Sequence, residues 1–426
     1  MKGDNGWARV AIKRLSRISY GLGQPPPLSP EGVPIIRATN INRGNISSEN
    51  LIFASREDLP LARAPLLSYG EILVVRSGAY TGDSAMITEE WVGSAPGYDL
   101  RITPLSVEPR FLAYAIRSSV VEEQIRLAKS RAAQPHLNAE ELGEVLVDLP
   151  PLCEQRRIAD FLDDKTRRLA ELQSRYEQAL ALFQERWWAV VRQFVIGKPV
   201  RAEVAVDVGP HIPWLGEVRS GWPVTTLGRI SRTYMGTTFP HAFQGKGAGD
   251  IPFIKVADFA KGDVWARLGV SDNWVTKSDA RILGAQIVPA GSVLYARVGA
   301  AMLLNQRRLT TRDAIVDDNV RAVKICSGDP RYWLYLLELL DLARLSNPGP
   351  VPSVGESQVS AVHVPLPPES EQKAIADSLD DLRSERFLLA KSISRQIALL
   401  NEYRQSLITA AVTGEMEVRA ASEIRI

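Results

Sequence analysis

The residues of this chain that could do chemistry are few and scattered. Its four histidines, His136, His211, His241 and His363, have no partner at helical or short-range spacing for acid–base work or metal ligation. Its two cysteines, Cys153 and Cys326, lie 173 positions apart, so neither a disulfide framework nor a structural zinc is expected. Gly245-Lys246-Gly247 lacks the spacing and the hydroxyl of a phosphate-cradling loop, and Gly21-Leu22-Gly23 and Gly247-Ala248-Gly249 are too short for a dinucleotide fingerprint. Asn347-Pro348-Gly349-Pro350 has no aromatic residue to stack on a flipped base. No catalytic constellation, no metal site and no cofactor are therefore expected in this chain.

What remains is a set of polar residues on turns, at matching places in the two halves. Arg37, Asn40, Asn42 and Arg43 follow one β-run, and Arg76, Ser77, Tyr80 and Thr81 follow another. Lys129 and Arg131 come at the end of a helical stretch; Lys255, Asp258, Lys261 and Arg297 hold the corresponding turns of the second half. Loops mixing Arg, Lys, Asn, Ser/Thr and Tyr with glycine combine phosphate contacts with readout of base edges, so these positions are the candidate DNA-binding residues. Gly78 and Gly299 serve the turns themselves.

These turns must be carried by a folded scaffold. The 426 residues are 45% hydrophobic and 23% charged, the profile of globular domains, and the length suits two or three of them. Net charge is only +2, which excludes a polybasic binder and leaves local surfaces to meet any nucleic acid. No apolar run reaches the ~18–20 residues of a membrane span, and Met1 to Trp7 lacks the apolar core of a signal peptide, so a cytoplasmic protein is expected.

The scaffold is duplicated. Leu149-Pro-Pro-Leu-Cys-Glu-Gln-Arg-Arg-Ile-Ala-Asp-Phe-Leu-Asp-Asp164 recurs at an offset of 217 as Leu366-Pro-Pro-Glu-Ser-Glu-Gln-Lys-Ala-Ile-Ala-Asp-Ser-Leu-Asp-Asp381, with 11 of 16 positions identical, and the register continues to Gly197 and Gly414. Upstream, Gly6-Trp7 matches Gly221-Trp222, Val33–Arg37 matches Ile251–Lys255, Gly70–Gly78 matches Gly291–Gly299, and Pro109-Arg110-Phe111 matches Pro330-Arg331-Tyr332. The chain thus reads as module, helix, module, helix. Each module is rich in short strands, then carries a helix (Pro109 to about Lys129, Pro330 to about Leu345), a polar loop and a last strand. The fold class is α+β.

After each Pro-Pro comes a rod. Ile158, Leu162, Lys165, Leu169, Leu172, Tyr176, Leu180, Phe183, Trp187, Val190 and Phe194 recur at steps of three and four, and Ile375, Leu379, Leu382, Arg386, Leu389, Ile393, Ile397, Leu400, Arg404, Leu407 and Ala411 repeat the seam. The two seams are expected to pack as an intramolecular coiled coil; the spacing admits either direction, and an antiparallel arrangement is expected. Phe161, Trp188 and Phe387 are large apolar residues off the seam, hence candidates for partner docking.

This arrangement resembles the specificity subunit of Type I restriction–modification systems. The residues that carry the resemblance are Leu149-Pro-Pro, Glu154-Gln155 and Ile158-Ala159-Asp160 with their second copy, together with Ile212-Pro-Trp-Leu-Gly-Glu217, Gly221-Trp222 and Leu227-Gly228 at the entry to the second module. The resemblance implies two target-recognition domains, each reading one half of a bipartite asymmetric double-stranded DNA site. It also implies a helical spacer that fixes their separation and docks two methyltransferase subunits, with motor-nuclease restriction subunits joining them. It implies the boundaries 1–149 (first recognition domain), 150–197 (first spacer helix), 198–219 (linker), 220–366 (second recognition domain), 367–414 (second spacer helix) and 415–426 (tail). Chemistry with S-adenosylmethionine and ATP would belong to those partners. An assembly scaffold without sequence-specific readout is the alternative. The first module lacks the Leu-Gly pair of Leu227-Gly228, so a shorter first strand is expected there.

Overall fold

The computed structural model describes residues 6–129, 136–198, 208–347 and 349–418. The chain divides into two units: residues 1–176 with 395–426, and residues 177–394.

In the first unit, an antiparallel sheet runs in the order Ser16–Tyr20, Leu100–Pro104, Ile72–Val74, Ser84–Met86. A second, mixed sheet has Val33–Ile36 at its centre, antiparallel to Ile52–Ala54 and parallel to Ala95–Pro96. The second unit repeats both. Its order is Ser231–Met235, Val320–Ile325, Val293–Ala296, Arg307–Thr310, with Arg267–Leu268 added at the edge. Ile251–Ile254 lies antiparallel to Trp274–Val275 and parallel to Ile315–Val316. A strand closing each module pairs with its first strand, Ala8–Ala11 with Leu146–Leu149 and Val224–Thr226 with His363–Pro365.

The first strand of the first module is therefore not the shorter one, contrary to the expectation from its missing Leu-Gly. The small residue has moved across the contact. In the second unit Gly228 lies against Ser360, where a Cβ would meet Ser360 Cβ at 2.9 Å. In the first unit Lys13 stands at that place and the glycine is Gly143, opposite it. One position without a side chain is enough for the close approach, and either partner can supply it.

The helix expected from Pro109 to Lys129 is two helices, Pro109–Ile116 and Ser119–Lys129, and its counterpart is Pro330–Glu338 followed by Leu342–Leu345. Ser118 causes the first break: its hydroxyl donates to the Ala115 carbonyl and accepts from the Val121 N–H. Asp341 caps the second restart by accepting from the Ala343 N–H.

The long helices run Leu152–Val195 and Glu369–Thr413. Within the first unit, Gln173 midway along one accepts from Arg404 near the end of the other; within the second unit, Gln184, further along the first, accepts from Arg386, nearer the start of the second. The helices are antiparallel in both. Burial is deepest where the modules add to the contact, at Ile158, Leu162, Trp187, Val191, Leu379 and Ile408. The seam positions Leu172 and Leu389 are exposed by 39% and 44%, because a single partner helix cannot enclose them as a core does. Among the described residues no helix is long and apolar enough to cross a membrane.

The duplicated motif is a latch between module and helix. Gln155 and Gln372 are buried, and each donates to the carbonyl of the preceding Pro150 or Pro367. Each also accepts from the backbone N–H at the start of the module helix, Glu108 in one unit and Asp329 in the other. One turn on, Arg110 binds Asp160 and Asp163, as Arg331 binds Asp377 and Asp380. Tyr114 and Tyr335 donate to Asp163 and Asp380. Gln155→Ala removes both bonds and leaves a buried N–H without its acceptor, so a loss of about 2 kcal/mol is expected in urea unfolding of the full chain. Glu154→Ala, with no such bond to the module, is the control.

Candidate nucleic-acid interface

In each module two turns leave the sheets side by side. The first follows the central strand of the mixed sheet. Asn40 is fully buried there: its Oδ1 accepts from the Arg37 N–H at 3.2 Å, and its Nδ2 donates to the Ser47 and Glu49 carbonyls. Asp258 does the same work in the second module, accepting from the Lys255 N–H at 2.9 Å, from Ser271 and from Lys261. Burial alone would raise the Asp258 carboxyl, but Lys261, the Lys255 N–H and Ser271 together hold it below its ordinary value. Its support of the turn is therefore present at neutral pH and is lost as pH falls through that lowered value. Asn40 and Asp258, read from sequence as DNA contacts, are thus engaged inside the protein and shape the turns instead.

Their neighbours face outward. Arg37 is half-buried and donates from Nη2 to the Asn50 carbonyl; Lys255 donates to Gln244 with its ammonium 5.0 Å from the Phe239 ring. Asn42 and Arg43 are exposed at the tip of a two-residue hairpin, where Arg43 adopts φ +44°. Lys261 is exposed but paired with Asp258 and Asp272.

The second turn carries Arg76. Its guanidinium lies 4.0 Å from the Tyr98 ring and 4.9 Å from the Tyr20 ring, and its Nη2 donates to the Tyr98 hydroxyl. The Arg76 N–H donates to the buried carboxylate of Asp99. Burial pushes this carboxyl up; the N–H groups of Arg76 and Ala38 and the Arg76 charge pull it back only in part. One carboxylate thereby ties both turns together. Arg37, Ser77, Tyr98 and Asp99 line a common cavity of about 510 Å³. Tyr80 projects with 57% exposure, whereas Thr81 is buried and donates to the Gly78 carbonyl, so it too serves the turn.

In the second module Arg297 replaces the aromatic clamp with a backbone contact, donating from Nε to the Asp318 carbonyl. The segment after the module helices meets this turn in both units: Leu137 N–H donates to the Arg76 carbonyl, and Val354 N–H to that of Arg297. Arg131 and the side chain of Lys129 lie outside the described residues.

Of the docking candidates on the helices, Phe161 and Trp188 are half-buried against the module cores, and Phe387 is open beside Leu388. The sequence reading missed Tyr20, Tyr98 and Asp99. The available signal was the pair Tyr20-Gly21 and Gly97-Tyr98: the chains approach so closely there that a Cβ on Gly21 would collide with the Gly97 carbonyl.

Known proteins share this architecture. The chain is 20% identical to the StySPI type I restriction enzyme specificity subunit of Salmonella potsdam over 98% of this chain and 91% of that one. It is 21% identical to the EcoBI type I restriction enzyme specificity subunit of Escherichia coli over 98% and 88%. Two solved structures have the same fold at 20% identity. One, from work on assembly and conformational transition of the type I R-M system, superposes with a TM-score of 0.70 over 98% of this chain and 100% of its own. The other is the HsdS subunit from Thermoanaerobacter tengcongensis, with a TM-score of 0.50 over 98% and 99%. Residues 26–181 and 219–399, well over half of the chain, match the model of the Type I restriction modification DNA specificity domain, one match falling on each module with its helix. The chain belongs to that family.

Proposed function

We propose that the two modules read the two halves of a bipartite DNA site, the first through Arg37, Ser77, Arg76 and Tyr80 and the second through Lys255 and Arg297. Asn42, Arg43 and Lys261 flank these positions, and Lys129 and Arg131 belong to the same expected surface. The observation that carries the reading is that one topology presents the same two turns twice with different side chains on them. A shared scaffold with unlike tips is what two unlike half-sites require.

The antiparallel helices act as the spacer and as the docking surface for two methyltransferase subunits, Phe387 and its neighbours being exposed on the second helix and Phe161 and Trp188 lying nearer the modules. The chain itself is non-catalytic and holds no cofactor; methyl transfer and ATP-driven cleavage fall to the modification and restriction subunits.

Selection from random duplexes by the assembled complex tests the reading: two short conserved blocks at a fixed separation are expected, and enrichment without sequence preference would favour a scaffold instead. Arg76→Ala should weaken binding to the selected site by about 1–3 kcal/mol and relax one block only. An equal loss on unrelated duplexes would make Arg76 a phosphate contact.

A further inference from the structure

Corresponding corners of the two units, where the module helix meets both long helices, are built from different charges. The latch residues fix the correspondence: Arg110 and Tyr114 stand as Arg331 and Tyr335 do, which makes Arg117 the equivalent of Glu338. The offset of 217 along the rods makes Thr166 the equivalent of Arg383 and Arg404 that of Trp187.

In the second unit this corner is closed. Arg383 and Glu338 form a two-bonded pair at 3.1 and 3.0 Å, with Trp187 and Tyr335 against the guanidinium. In the first unit the carboxylate position is Arg117, and the indole position is Arg404. Arg117 is half-buried, packed over the Tyr114 ring, and pinned by the neighbouring turn, since a Cβ at Gly44 would collide with its guanidinium. Burial lowers its affinity for the proton and Arg404 adds to that effect, while Tyr114, Glu122 and Asp83 offset it only in part. Arg404 donates from Nη2 to Gln173, while its buried Nε has no hydrogen-bond partner among the described residues.

Both arginines line a cavity of about 40 Å³ together with Arg43 and Ser84, and it adjoins a groove of about 460 Å³. A single water needs roughly 10–15 Å³ of such room, so the space suits a compact polyatomic group. Asp83 and Glu122 also line the cavity, leaving three cationic and two anionic side chains around it. Two half-buried arginines held together, with an excess of cationic over anionic side chains around them, are an arrangement that an anion between them would relieve, and guanidinium forks suit phosphate oxygens.

We propose that this corner of the first unit is a binding site for a phosphate group, gripped by Arg117 and Arg404 with Arg43 beside them, and that the second unit has no counterpart. Gly82 and Arg43, at the ends of the two reading turns, border the cavity, so the group is either a backbone phosphate of bound DNA or inorganic phosphate. The site stands on this chain's own geometry and does not require that the modules read a split motif.

The test is calorimetric titration of the full chain with inorganic phosphate against chloride at equal ionic strength. Saturable binding at one site is expected, weakened about tenfold or more by Arg404→Gln and by Arg117→Gln and unchanged by Arg386→Gln in the second unit. Comparing variants separates the site from the general salting effect of phosphate. Should Arg117→Gln fail to fold, Arg404→Gln alone decides. No saturable binding, or equal binding by Arg404→Gln, would overturn the proposal. Repeating DNA binding with phosphate in place of chloride identifies the source: competition lost in Arg404→Gln assigns a DNA phosphate, and unchanged DNA affinity assigns the free ion.

Discussion

Asp380→Ala is expected to destabilise the second unit by about 3–5 kcal/mol. Its carboxylate is only 13% exposed and accepts from Arg267, Arg331 and the Tyr335 hydroxyl. Arg331 would keep Asp329 and Asp377, but Arg267 and Tyr335 would lose their acceptor in a largely buried place. The latch makes the proton on Tyr335 hard to remove, first through burial and then through the bond to Asp380, so no ionisation near neutral pH can compensate. The equivalent change in the first unit is the internal comparison. Asp163 is 41% exposed, and Arg110 retains Asp160 and Glu108 without it, so Asp163→Ala should cost roughly 1–2 kcal/mol. Urea unfolding of both variants of the full chain checks the order; an equal or reversed cost would contradict the argument that burial and the remaining partners set the difference, and no cost in either unit would mean that the latch is not what holds module to helix.

The second large effect is on sequence preference. Replacing residues 1–149 by the corresponding module of another member of the family should change one half of the recognised site completely and leave the other half and the separation unchanged. The reason is structural. Each module carries its own set of sheets, whose core continues onto the long helices at Ile158, Leu162 and Ile408 in the first unit, and the latch residues Gln155, Arg110 and Asp163 bond to the module helix rather than to a reading turn. The turns are fixed locally, by Asn40 and Asp99 in the first module and Asp258 in the second. Nothing in this arrangement requires the identity of one module's turns to follow the other's. Recovery of a motif altered in both halves by the exchanged chain would show that the modules do not read independently.

Much of this organisation is legible in the sequence because it rests on periodic or repeated patterns. The heptad steps mark both helices, and the repeat at 217 marks the Gln and Asp residues of the latch, which recur, as Arg110 and Arg331 do, because they make the same bonds twice. What escaped the sequence rests on local side-chain bonds or on contacts between distant segments. The break at Ser118 depends on a hydroxyl bonding locally where the apolar spacing alone reads as continuous helix. The exchange of Gly228 for Gly143 is invisible without knowing that Lys13 and Gly143 face each other. The reading corner suffered most: Asn40, Thr81 and Asp258 have the composition of contact residues, yet burial turns them into supports. Asp99, which no motif singles out, ties two turns together only because two strands from different sheets end beside it. Polar residues on a turn therefore mark where a candidate interface lies, while burial decides which of them could reach a ligand there.

The claim at the centre of this account is that the chain directs modification to a split sequence. Genome-wide mapping of modified adenines, in an unmodified host expressing this chain with its methyltransferase partner, tests that claim most directly. Two short specified blocks around a fixed unspecified gap, occupied throughout the genome, is the predicted result. An assembled complex that leaves the genome unmodified, although the same methyltransferase modifies it with another specificity chain, would contradict it.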